Sequence, residues 1–284
     1  MLFMLKKSNV RSLTLWKTDD VNNEMKKMNE LARNWKNGKK IVKMEVYDVK
    51  EMYTCLPHKI ILEAVRWITN RFKEDYGEFV TVVGNRSKDV KIGRIKSNRI
   101  FHREEIVKAV KQDLENAVFR CGNILVIQTI GIPMGSPLSP ALAIISCAIA
   151  EEKMKNELQG NIQFQAMRYM DDVWVCTIRD RREKEENINQ LFAYYDRHLK
   201  VEKEREGNRV RFLDREVIWD GECFKTINFN KNLESLRESG TRKFLNILPQ
   251  ISYNSRTTKK AIIVGKLARI QRSMTKEQDI FWQG

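Results

Sequence analysis

Two neighbouring carboxylates, Asp171-Asp172, follow Tyr169-Met170 between two runs of strand-forming residues. The upstream run is Phe164-Gln165-Ala166-Met167-Arg168 and the downstream run is Val173-Trp174-Val175-Cys176-Thr177-Ile178. Both suit a pleated surface, so the spacing predicts a β-hairpin with two acidic groups at its tip. Adjacent carboxylates repel each other and resist burial, so such a tip needs solvent or a cation. A pair of Mg²⁺ ions, which take oxygen ligands, would satisfy it. Taken alone, the string also fits a plain acidic turn, and its company in the chain has to decide.

A third acidic position stands out upstream. Ile41 to Asp48 reads as a strand in which Val42, Met44, Val46 and Asp48 share one face. The carboxylate therefore ends an otherwise apolar row, a common way to present a metal ligand, although a strand-end turn residue fits too. The chemistry that needs carboxylates from separate elements is nucleotidyl transfer, in which two metals sit about 3.5–4 Å apart. Its transition state spreads negative charge over phosphoryl oxygens, so positioning and electrostatics carry the catalysis. The overall charge agrees: a formal +15 over 284 residues attracts polyanions, nucleic acid ahead of an anionic membrane.

Other site classes are disfavoured. The five cysteines, at 55, 121, 147, 176 and 223, are scattered with no C-x₂-C pair, and there are only three histidines. That pattern argues against structural zinc and for free thiols in a reducing, intracellular compartment. Met1 to Leu5 is cut short by Lys6-Lys7, too soon for a signal peptide, and no run is long enough to span a membrane.

The remaining periodicities predict an α+β layer architecture. Residues 20–36 read as a helix with Val21, Met25, Met28 and Leu31 in its stripe, broken by Asn37-Gly38. Pro57 opens the next helix at its first position, with Ile61, Ala64, Val65, Ile68 and Phe72 buried. Short strands and turns fill 76–100, a helix spans 104–119, and a strand follows at 124–129. Residues 131–140, Gly-Ile-Pro-Met-Gly-Ser-Pro-Leu-Ser-Pro, form a loop that leads into a helix apolar from Ala141 to Ala150. From Glu151 that helix turns charged, which predicts a protruding end. Ile188, Leu191, Phe192, Tyr195 and Leu199 mark a further amphipathic helix. Strands at 210–214 and 216–219 are expected to turn at Asp220-Gly221. Residues 228–284 are basic and read as mostly helical.

Three segments in this order resemble a reverse transcriptase. Tyr-Asp-Val-Lys-Glu-Met-Tyr-Thr-Cys-Leu-Pro (47–57) is similar to the family's first palm motif. The loop at 131–140 is similar to the second, and Arg-Tyr-Met-Asp-Asp (168–172) to the third. The form of the first two, together with Phe212-Leu213-Asp214, resembles the Penelope-like retroelements, which are related to telomerase catalytic subunits. The tail from Ile251 to Arg269 is a looser match, and the resemblance covers about residues 40–270.

The resemblance implies an RNA-directed DNA polymerase that uses two Mg²⁺ ions, with Mn²⁺ as a substitute. It would extend a DNA primer on an RNA template with deoxynucleoside triphosphates, away from membranes, in the nucleus if the source is eukaryotic. Asp48, Asp171 and Asp172 would be the metal ligands and catalytic carboxylates, and the Val49 carbonyl would complete a metal shell. Tyr53 matches the family's aromatic gate against a ribose 2′-hydroxyl; a core aromatic fits as well. Met134-Gly135 stands where many reverse transcriptases have Gln-Gly, beside the templating base or incoming nucleotide. Lys200 or Lys203 would assist pyrophosphate departure, although each also reads as a solvated charge. Basic residues of the tail (Lys231, Arg237, Arg242, Lys243, Arg256, Lys259, Lys260, Lys266, Arg269, Arg272) would contact phosphates.

The implied fold is a right-hand polymerase palm, an antiparallel sheet with packed helices, over 41–225. A basic, mostly helical thumb-like part would occupy 226–284. Residues 1–40 would be a helical remnant of fingers that are otherwise reduced or absent, with Lys39-Lys40 as substitute cations. The expected end of the chain also lacks the nuclease domain of many Penelope-like proteins. The competing readings are an RNA-copying RNA polymerase and an inactive, nucleic-acid-binding relic. Tyr53 and Tyr169-Met170 favour a DNA product over the former.

Overall fold

A computed structural model describes residues 1–35, 40–84, 90–94, 99–157, 164–180, 192–195 and 197–229, with isolated positions 240, 257, 261, 262, 264, 265, 267 and 268. The chain divides into two compact units interleaved along the sequence. One comprises residues 1–14, 48–162 and 185–202; the other comprises 15–47, 163–184 and 203–284. The expected order was three consecutive segments, 1–40, 41–225 and 226–284.

The second unit contains helix α2 (Asp20–Arg33) and a four-stranded sheet. That sheet has the order β7 (Phe164–Tyr169), β8 (Asp172–Asp180), β1 (Lys40–Lys50) and β9 (Lys200–Gly207), with unit boundaries inside β1 and β9. Three antiparallel strands, β10 (Arg209–Phe212), β11 (Arg215–Trp219) and β12 (Phe224–Asn228), form a separate meander. Alternation places Val42, Met44 and Val46 of β1 in one core with Val21, Met25 and Met28 of α2. Met167, Trp174, Cys176, Phe212, Val217 and Phe224 complete it. Buried Arg215 ties β11 to α2 through Asn22 (2.8 Å) and Asp19 (3.2 Å).

Several expectations are corrected here. In α2 the buried stripe runs Val21, Met25, Met28, Ala32, and Leu31 is exposed. At about 100° per residue Ala32 continues the stripe, whereas Leu31 lies well round the helix. The run from Lys200 reads as solvated charge but forms β9, the end strand of its sheet. Charged edge strands resist pairing with other chains, so strand and charge are compatible. The expected turn at Asp220-Gly221 forms and leads into a third strand, β12, while a further turn at Leu213-Asp214, with Leu213 at φ +58, joins β10 to β11.

The first unit holds α1 (Leu2–Lys7), α3 (His58–Tyr76), α4 (Arg103–Glu115) and α5 (Ser139–Glu157). It also holds a three-stranded sheet ordered β3 (Val90–Ile92), β2 (Phe79–Val82), β4 (Ile100–His102), and the hairpin β5 (Val118–Cys121)–β6 (Ile124–Ile127). Ile61, Ala64, Val65, Ile68 and Phe72 of α3 are all buried, as their spacing predicts. Pro57 is extended (ψ 138°) and precedes the helix instead of opening it. Helix α4 starts at a capping box made by His102 and Glu105 and ends at Glu115, so Val118 and Phe119 enter a strand.

The charged end of α5 protrudes only in part: Glu151, Glu152 and Met154 are buried, whereas Lys153, Asn156 and Glu157 are exposed. Glu151 is fully enclosed, accepting from the Leu13 N–H and the Tyr195 hydroxyl, both at 2.8 Å. Two donors at short range offset the cost of burying that carboxylate. Of the amphipathic helix expected at 188–199, residues 188–191 lie outside the described residues, and 192–195 form a turn. Lys39 and the basic tail residues named above also lie outside them. Among the described residues no helix is long and apolar enough to cross a membrane.

Candidate active site

The carboxylate hairpin forms as its sequence predicts. Strands β7 and β8 pair antiparallel with Arg168 opposite Val173 and Tyr169 opposite Asp172, leaving Met170-Asp171 as a two-residue loop. Such loops require positive φ, and Met170 supplies it at +57°. A methionine there costs energy that only a rigid stem sustains. The stem is rigid: Val173, Trp174, Val175 and Cys176 are all completely buried, and Trp174 meets Phe224 edge-on at 6.5 Å. Burial also raises the Cys176 thiol pKa far above its ordinary value. Asp172 begins β8 half-buried. Asp171 is exposed, with no hydrogen bond or ion pair among the described residues, so its charge stands uncompensated there.

Asp48, in the first unit, is mostly buried at the end of the apolar row and paired with the Lys50 ammonium. Lys50 lies two residues on, hence on the same face of β1. Val49 is buried. After β1 the chain turns at Glu51, which has φ +56, and its carbonyl accepts from Thr54 and Cys55 N–H at 3.0 Å. Tyr53 is half-buried.

Two backbone hydrogen bonds join this segment to the 131–140 loop. Gly131 N–H donates to the Leu56 carbonyl (2.8 Å) and Ile132 N–H to the Tyr53 carbonyl (2.7 Å). Gly131 has φ +88, and a Cβ there would stand 2.5 Å from the Tyr53 oxygen. Gly131 is therefore the residue at which the two segments approach closely. Gly135 has positive φ too (+98°) but open space around it, and Met134 beside it is highly exposed. The loop is braced by Ser136, which donates to Asp113 (2.8 Å), and by Ser139, which donates to the Pro133 carbonyl. The available signal for Gly131 was a glycine directly before Ile-Pro, at a loop start.

The two candidate lysines differ. Lys203 is held by Glu206 (2.5 Å) and by buried Glu45 (3.4 Å), and the Glu206 hydrogen bond raises its pKa most. Glu45 also pairs with Lys43 (3.2 Å) and accepts from the Tyr47 hydroxyl (3.0 Å). Burial, then Glu45, pushes the Tyr47 phenol far upward. Lys200 pairs with Glu202, which raises its pKa, and it feels Glu51 and Lys50 as weaker influences. Lys200 is thus within electrostatic range of the Asp48-Lys50 end of the first unit.

The donor set suits a hard divalent cation: oxygen ligands only, with one carboxylate lacking a partner. Among the described residues no group of three or more His, Cys, Asp or Glu side chains is placed to hold a metal ion. Asp48 belongs to one unit, and Asp171 and Asp172 to the other.

No protein-family model matches the sequence. No curated protein matches it either. Solved structures do. A Candida tropicalis telomerase in complex with a TWJ fragment of telomeric RNA matches with TM-score 0.58 at 18% identity, over 93% of this chain and 39% of that one. A Candida albicans telomerase, also with a TWJ fragment, gives 0.58 at 14% identity, over 80% and 38%. The RNA-dependent RNA polymerase of a human picobirnavirus gives 0.53 at 10% identity, over 95% and 45%. This chain has a reverse-transcriptase-like polymerase fold, and it spans less than half the length of these structures.

Proposed function

We propose that this chain is the catalytic core of an RNA-directed DNA polymerase related to Penelope-like elements. In this reading the β1–β7–β8 region is its palm and the basic tail is thumb-like. One observation carries the reading: a buried hairpin that presents an exposed Asp171, without an ion pair among the described residues, beside Asp172, on a fold similar to telomerase. Asp48, Asp171 and Asp172 would hold two Mg²⁺ ions. When bound, such ions lower the pKa of a primer 3′-hydroxyl and neutralise the triphosphate.

The chain's own groups do the rest. The Leu56–Gly131 and Tyr53–Ile132 hydrogen bonds fix Tyr53 against the 131–140 loop, which would border the incoming nucleotide. The Tyr53 ring would exclude a ribose 2′-hydroxyl and so select deoxynucleotides. Lys200, which is exposed and pairs with Glu202, is better suited to a leaving pyrophosphate than Lys203, which Glu45 and Glu206 engage.

Primer extension on an RNA template, with Mg²⁺ and deoxynucleotides, tests the proposal beside Asp171→Ala. Extension is expected from the parent and is expected to fall by at least about 10²-fold in the variant. Primer–template binding without extension by either protein would favour an inactive nucleic-acid-binding chain. The picobirnavirus likeness supports a second reading, an RNA-copying RNA polymerase, and extension with ribonucleotides alone would select it.

A further inference from the structure

We infer that Arg168 is the positioning residue of the carboxylate hairpin, setting the turn that presents Asp171 and Asp172. The inference rests on the reading of that hairpin as the metal-holding element. Arg168 lies in β7, a strand of the core, yet its side chain is fully buried. A buried guanidinium stays charged, so it must be held by acceptors. One acceptor is the carbonyl of Met170, at 2.8 Å, inside the two-residue loop. Met170 is the loop residue with the unfavourable positive φ. The hydrogen bond therefore acts on the strained peptide that leads directly into Asp171.

The arginine itself has little freedom to follow the turn. Its carbonyl accepts from the Leu15 N–H at 2.7 Å, and it pairs across the hairpin with Val173. An anchored strand thus grips its own turn through a side chain two residues back. Lysine keeps the charge but presents a mobile point donor instead of a planar fork, so it should hold the turn less well. A methionine keeps the apolar stem and removes the grip.

The test compares the parent chain with Arg168→Met and Arg168→Lys, metal-free, by residue-resolved amide hydrogen exchange. The β10–β11 amides, in the same unit, report general loosening. In Arg168→Met the Asp171 and Asp172 amides should exchange about tenfold faster than any change at β10–β11, with Arg168→Lys between. Should Arg168→Met fail to fold, the lysine variant carries the same comparison. Equal changes at the turn and at β10–β11 would overturn the inference.

Mn²⁺ titration by water-proton relaxation supplies the second readout. Saturable binding that Asp171→Asn removes should weaken about 10–100-fold in Arg168→Met, the range for groups that orient metal ligands. Unchanged Mn²⁺ affinity would also overturn the inference. A parent with no Asp171-dependent Mn²⁺ binding would refute the metal reading instead, and the exchange comparison would still decide the role of Arg168.

Discussion

Two glycines of one loop allow a comparison that isolates close approach from backbone strain. Gly131 and Gly135 both have positive φ, +88° and +98°. Alanine at either should cost about 1–2 kcal/mol for that conformation. At Gly135 nothing lies within 4 Å of the added methyl, so the cost ends there. At Gly131 the methyl would meet the Tyr53 and Thr54 carbonyl oxygens at 2.5 and 2.8 Å, and the Gln128 amide at 2.8 Å. Gln128 can swing aside. The carbonyls cannot, because the Leu56–Gly131 and Tyr53–Ile132 hydrogen bonds hold the two strands of chain together. Overpacking of this kind adds about 1–3 kcal/mol. Gly131→Ala should therefore lose about 1–3 kcal/mol more than Gly135→Ala. With a urea slope of about 2 kcal/mol per molar, its midpoint should lie about 0.5–1.5 M lower. Urea titrations followed by far-ultraviolet circular dichroism measure this directly. Coincident midpoints for the two variants would refute the argument that Gly131 locks the two segments.

Three further outcomes follow from named contacts. Glu151→Leu should destabilise the first unit by about 2–4 kcal/mol, because the Leu13 N–H and the Tyr195 hydroxyl lose their acceptor; thermal melting checks it. Asp220 accepts from Glu222 and Cys223 N–H (2.9 and 2.8 Å) and pairs with Lys225, with the Cys223 bond contributing most to holding its pKa well below the ordinary 3.8. A depressed carboxylate stabilises above its unfolded pKa and loses that contribution as pH falls, so Asp220→Ala should flatten the acid limb of stability below about pH 4; an unchanged limb counts against it. Tyr53→Ala should raise ribonucleotide incorporation relative to deoxynucleotide in extension assays, and an unaltered preference would dismiss the gate.

The legible parts of the fold are those that local pattern dictates. Helix α3 was readable residue by residue because its buried face needs only 3.6-residue spacing, and β1 because alternation needs only period two. The carboxylate hairpin was readable for the same reason. Long-range partners erased the rest. Glu151 looks solvated until Leu13, 138 residues away, supplies an N–H. Lys203 looks free until Glu45, 158 residues away, takes it. Charge hid β9, since no apolar alternation marks a charged end strand. Gly131 looks like an ordinary loop glycine until Tyr53, from another motif, is brought against it. The tail's phosphate contacts and Lys39 fall outside the described residues.

Backbone strain falls largely in the segments that carry the resemblance. Four non-glycine residues among those described have positive φ: Asn9, Glu51, Met170 and Leu213. Glu51 lies within 47–57, Met170 within 168–172, and Leu213 within Phe212-Leu213-Asp214. Each conformation is unfavourable, and a sequence free to choose would place glycine or asparagine there. Each persists because its surroundings over-determine it: a rigid stem at Met170, a double turn hydrogen bond at Glu51, and paired β10 and β11 at Leu213. Strain retained in three separate loops is where local sequence preference yields to the surrounding structure. Leu213 is the informative case, since it sits apart from the three carboxylates. Its turn leads into Arg215, which is fully buried and fixed by Asn22 and Asp19 of the α2 start. At Met170 a buried arginine also stands by the turn, but there Arg168 donates to the turn's own carbonyl. A fully buried arginine thus stands beside the strained turn in two hairpins of the second unit, β7–β8 and β10–β11, and each is held through hydrogen bonds the sequence pattern does not show.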